Sequence, residues 1–200
     1  MVELPPWLQC ANWLCGSGDT FKVKLQLVHS HQQTEYHRDN NGTDTWMKCL
    51  AGKVLVACWS QDDGEAYNLH DALPSRLMDW DKFHRMPSAR FFILRPGSIL
   101  VLPAGTYHYV YTVQTKLVVA GDFLNAGGWA QRLASVRRDG DIDPELVDPK
   151  RTLVALTAIF RRGVREVEAP RVACEPDLSP RIDYLHSLLD WAAALDEEAR

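Results

Sequence analysis

Residues 34–46 read Thr34-Glu35-Tyr36-His37-Arg38-Asp39-Asn40-Asn41-Gly42-Thr43-Asp44-Thr45-Trp46, and their spacing decides how the chain is understood. His37 and Asp39 are two apart, so on a strand both side chains leave the same face. An imidazole and a carboxylate placed in this way can take adjacent positions on a metal. Gly42 then supplies a turn into a second strand that carries Trp46. On its own the pair is equally the pattern of a surface histidine beside a turn-forming aspartate. A metal site would need a third ligand from elsewhere in the chain. His108 offers one, following the turn Pro103-Ala104-Gly105 in a later group of strands. Two histidines and a carboxylate form a facial triad, which leaves three positions open on Fe(II) for a chelating cosubstrate and O2.

On either side of this stretch the sequence predicts short strands and turns. Phe21, Val23, Leu25 and Leu27 alternate with polar neighbours, the period of a half-buried strand. Residues 45–50 and 54–59 form two further strand-like runs, joined by a short turn at Ala51-Gly52. Residues 91–94, 98–102, 107–113 and 116–120 follow, punctuated by Pro96-Gly97 and Pro103-Ala104-Gly105, where proline and glycine favour reversal. Many short strands at this spacing predict a mainly β fold, a sandwich or barrel, over residues 1–124. From residue 125 to 200 the pattern turns helical, a C-terminal extension packed on the barrel. Helices are expected at 129–138 and after Asp148-Pro149, with a linker near 164–178. A last amphipathic helix starts at Ser179-Pro180 and carries Ile182, Leu185 and Leu189 on one stripe.

Composition narrows the class of function. The 200 residues suffice for one sizeable core, and the net charge of −4 gives no basic field for nucleic acid or an anionic membrane. Five cysteines, scattered and without a CxxC pair, fit free thiols in a reducing compartment better than a disulfide framework or thiolate zinc. The N-terminus lacks the basic and apolar regions of a signal peptide, and no apolar run approaches the ~20 residues of a membrane helix. The expectation is an intracellular protein, nuclear or cytoplasmic, of undetermined oligomeric state.

The motif and its surroundings resemble the JmjC-domain family, the cupin-fold Fe(II)/2-oxoglutarate oxygenases. The likeness is greatest to the small fungal JmjC proteins and to the demethylase branch, whose motif is T-D-F-H-x-D-x-x-G-T-x-x-W. It covers roughly residues 21–124 and is anchored on Thr34, His37, Asp39, Gly42, Trp46, Gly52, Pro96, Gly97, Pro103, His108, Gly121 and Phe123. The resemblance implies a double-stranded β-helix (cupin or jelly-roll) barrel with Fe(II) on His37, Asp39 and His108. It implies 2-oxoglutarate as cosubstrate, O2 as oxidant, and a protein side chain or small molecule as the substrate hydroxylated or demethylated.

By the same resemblance, Thr34 would hold the distal carboxylate of 2-oxoglutarate together with a lysine, because a buried carboxylate is costly unless paired. Here the sequence departs from the family. Gly-x-Lys is usual, whereas Gly52 is followed at once by Lys53, with Val54 where the lysine would stand. Either a turn one residue shorter still points Lys53 inward, or the anchor is missing, with Lys24 a possible substitute. A defective anchor would leave a non-catalytic JmjC-like metal-binding or interaction module. A cupin using another metal without 2-oxoglutarate is a third possibility. Of the other residues, His29 and His31 are expected at the barrel mouth or in solvent, Tyr36, Tyr107 and Tyr109 in packing, and Trp80 pinning the 61–90 insert or lining a pocket.

Overall fold

The computed structural model describes residues 23–39, 42–70 and 76–124, with residues 131, 132, 134–136, 138 and 158. Apart from residue 158, which is helical, the helix expected after Asp148 lies outside the described residues, as do the 164–178 linker and the final amphipathic helix. No described helix is long and apolar enough to cross a membrane.

The strands are β1 (Lys24–Val28), β2 (Gln33–His37), β3 (Asp44–Trp59), β4 (Arg90–Leu94), β5 (Ile99–Leu102) and β6 (Tyr107–Phe123), with short helices α1 (Gln61–Ala66) and α2 (Trp80–Phe83) between β3 and β4. All strand pairs are antiparallel, in a six-stranded sheet built around the β3–β6 ladder. The two long strands each serve two layers. The first half of β3 pairs with β5 and the end of β6, beside β1. Its second half pairs with β4 and the start of β6, beside β2. One apolar cluster joins the inner faces of both layers: Met47 and Cys49 from the first half of β3, Val54, Val56 and Cys58 from the second, and Val110, Val118 and Ala120 from β6. This is the jelly-roll expected from the sequence. The sheet is not a closed barrel, since β1 and β4 end its path.

Two expected breaks are corners inside continuous strands. Ala51-Gly52 does not separate two strands, because β3 runs through it with irregular register from Cys49 to Val54. Gly52 has φ +85°, and a Cβ there would lie 2.1 Å from the Thr115 carbonyl oxygen and 2.8 Å from Lys116 Cα. Only glycine permits both that dihedral and that approach. Likewise β6 continues through residues 113–115, taking up extra residues against β3. Bulges bend a strand without ending its ladder, which is why turn residues at these points resembled chain reversals.

In β1 the alternation is present but its apolar face is not the buried one. Leu25 and Leu27 are 66% and 71% exposed, and Gln26, paired with Val118, shares the inner face. Period 2 identifies an apolar face, while the neighbours decide whether it is covered. The outer face of the other layer is covered: Tyr36, Ala57, Trp59, Tyr107 and Tyr109 pack with Leu69, Phe83 and Met86 of the 61–90 insert.

Candidate metal centre

His37 closes β2 and His108 is the second residue of β6, where the two are direct cross-strand partners. The register slips between Thr34 and His37, so that Glu35 and Tyr36 together span one step of β6. This bulge puts Thr34, beside Val110, on the same inward face as His37, beside His108, although three positions separate them. The imidazole rings lie 4.3 Å apart, tilted by 56°, and Asp39 follows just beyond the strand. Ligand atoms of His37, Asp39 and His108 all lie within 4.8 Å of one another, with His108 Nε2 4.0 Å from Asp39 Oδ2.

The backbone orients both rings. His37 Nδ1 lies 2.9 Å from the Glu35 carbonyl oxygen and His108 Nδ1 3.3 Å from that of Thr106. A carbonyl can only accept, so each Nδ1 carries the proton and each Nε2 keeps its lone pair. Burial, with His37 alongside, pushes the His108 pKa down to about 4, against the opposing pull of Asp39. His108 is therefore neutral at pH 7, the form that binds a metal. The Thr45 hydroxyl donates to Asp39 Oδ2 and also lies 3.4 Å from Asp122 Oδ1, fixing the direction of the Asp39 carboxylate. Two imidazoles and a carboxylate, oriented in this way, suit Fe(II) and its divalent neighbours.

The segments carrying these side chains are tied together by Asp44. Its Oδ1 accepts the Ala104 N–H at 2.9 Å, in the turn before His108, and its other oxygen pairs with Arg132. Arg132 also donates to the Gly42 carbonyl at 2.8 Å. Alongside, Arg38 donates to the Ser135 hydroxyl at 3.0 Å and lies over the Tyr107 ring. Arg132 and Ser135 thus hold Gly42, Asp44 and Arg38, the described residues around Asp39. Sequence reasoning gave Asp44 and Arg132 no role. Asp44 stood inside the motif, but nothing in the Arg132 region carried a chemical signal, and the pairing spans the length of the fold.

The remaining candidates sort clearly. Thr34 faces inward but is exposed, and its hydroxyl oxygen accepts the Val110 N–H at 3.2 Å, leaving its own proton free to donate. Val54 is fully buried in the inner cluster. Lys53, the preceding residue, is half-buried, and strand alternation turns it to the other face. Among the described residues no hydrogen bond joins Lys53 to Thr34. Lys24 is exposed at the edge of the sheet. His29 and His31 are also exposed, His31 meeting the Tyr111 hydroxyl at 2.9 Å. Trp80 packs edge-on against Phe83 and Tyr109, on the outer face away from His108, so it pins the insert.

No family model matches the chain. Similarity to individual proteins covers 46% of it. Over 102 residues it is 28% identical to the JmjC domain-containing histone demethylation protein 1 of Candida albicans. It is 28% identical over 95 residues to the protein of that name in Caenorhabditis elegans, and 31% identical over 94 residues to lysine-specific demethylase 2A of Xenopus tropicalis. The matches span 21%, 9% and 8% of those relatives.

Proposed function

We propose, from this likeness to JmjC demethylation proteins, that the chain is an Fe(II)- and 2-oxoglutarate-dependent oxygenase that hydroxylates or demethylates a protein side chain or small molecule. The observation that carries the reading is the convergence of His37, Asp39 and His108 with both Nδ1 atoms already engaged. Fe(II), when bound, supplies the activation of O2 coupled to oxidative decarboxylation of 2-oxoglutarate. His37 and His108 would hold it through Nε2 and Asp39 through a carboxylate oxygen, while Thr45 keeps that carboxylate from turning. The apolar inner faces of β3 and β6 would exclude water from the reacting end of the substrate, and the Thr34 hydroxyl would donate a hydrogen bond to the cosubstrate. The names of the relatives favour a methylated lysine of a histone and a nuclear setting. Hydroxylation of an N-methyl carbon there would release the methyl group as formaldehyde.

Anaerobic loading with Fe(II), then 2-oxoglutarate and O2, should yield succinate from the wild type and none from His37→Ala or His108→Ala. One observation favours a non-catalytic metal-binding module: buried Val54 fills the place of the family's lysine. Metal uptake without succinate release would select that alternative, and absence of both would end the oxygenase reading.

A further inference from the structure

Among the described residues one lysine is buried: Lys116 in β6, 3% exposed. It shares the inner face of β6 with His108, Val110, Thr112, Val118 and Ala120, following the alternation of the strand on either side of the corner. Burial pushes the lysine pKa down, with Cys49, also inward, opposing the shift; burial raises the Cys49 thiol pKa in turn, so the thiol is uncharged at pH 7. No carboxylate or hydrogen-bond acceptor among the described residues meets its ammonium. The side chain is buried, but its Nζ is not among the enclosed polar atoms that lack a partner, so the ammonium reaches open space where the anion of a ligand can pair with it.

Its position is also specific. Ala51 pairs with Leu117 and Lys53 with Gln114, so Lys116 stands across the ladder from Gly52, at the same end of the roll as Val54. Gly52 lies directly on the Lys116 backbone. Along the inner face of β6, polar groups run from His108 past Thr34, beside Val110, and past buried Thr112 to Lys116. That line suits an elongated ligand bound to the metal at one end and carrying an anion at the other.

We propose that Lys116 is the cation that receives the distal carboxylate of the 2-oxo acid cosubstrate, delivered from β6 in place of the lysine absent at Val54. This rests on the oxygenase reading above and reassigns the role considered for Lys53 or Lys24. The test is direct binding to Mn(II)-loaded protein, followed by calorimetry, of 2-oxoglutarate and of 2-oxopentanoate, which lacks the second carboxylate. Wild type should prefer 2-oxoglutarate. Lys116→Met should weaken 2-oxoglutarate by roughly ten- to hundredfold, the loss of one charge-assisted bond. It should leave 2-oxopentanoate unchanged, and Lys116→Arg should restore part of the preference. Lys53→Met and Lys24→Met should bind as wild type. In metal-free protein, Lys116→Met should melt no lower than wild type, since no carboxylate partner is lost with the ammonium; a large fall would mark a structural contact and overturn the assignment. Undiminished 2-oxoglutarate binding by Lys116→Met overturns it too, with the oxygenase reading intact. Wild type that binds neither acid overturns both.

Discussion

Replacing Arg132 by methionine removes the cation from Asp44 while keeping most of the apolar stem. The two side chains are almost fully buried, Arg132 at 1% and Asp44 at 6% exposure, so water cannot take the place of the lost guanidinium. Stripping one partner from a buried ion pair costs about 3–5 kcal/mol. For a chain of this size each kcal/mol moves the melting point by roughly 2–4 °C, so a fall of roughly 6–20 °C is expected. Most of that cost is the stranded carboxylate rather than the pair itself. Asp44→Asn in the same protein should therefore recover much of the fall, because an amide oxygen can still accept the Ala104 N–H. The assay is a double-mutant cycle of thermal and urea melts, with Mn(II) affinity measured beside it. Metal affinity should weaken in Arg132→Met, since Asp44 and Arg132 together tie Gly42 to the turn before His108. A fall below 2 °C, or a double variant no more stable than Arg132→Met, would refute the idea that this pair braces the centre.

Binding of Mn(II) or Co(II) should raise the melting temperature by mass action, and His37→Ala should abolish the rise. Thr45→Val, which frees the Asp39 carboxylate, should lower metal affinity by roughly ten- to hundredfold in a titration. In the metal-free protein the His108 pKa lies near 4 when folded and near ~6.5 when unfolded. The unfolded chain thus binds the proton more readily, and this contribution to stability is complete above pH 6.5 and lost as pH falls towards 4. Melts across that range should show the decline, and His108→Gln should flatten it. Gly52→Ala should destabilise by more than the ~1–3 kcal/mol of backbone strain alone, because its Cβ meets the Thr115 carbonyl; an unchanged urea midpoint would count against the corner.

Local spacing suggests His37 and Asp39 as one candidate pair and His108 as a third ligand. It is the resemblance to the JmjC family that favours this set over a surface histidine beside a turn aspartate; Asp39 itself lies just beyond β2. Local pattern is enough for the mainly β class seen among the described residues up to 124, since period 2 and turn residues act over a few positions. It misjudged Ala51-Gly52, where a turn signal marks a bend within β3, and it could not tell that Leu25 and Leu27 face outward. Lys116 lies within a strand that the sequence predicts, but nothing in its local pattern distinguishes it from a surface lysine. Its burial comes from β1 and β3, segments distant along the chain that pair with β6 only once the roll has folded. The brace between Asp44 and Arg132 is hidden from the sequence for the same reason. Spacing fixes which side chains share a face, but desolvation and charge pairing depend on what packs opposite, and that is decided only when distant strands meet.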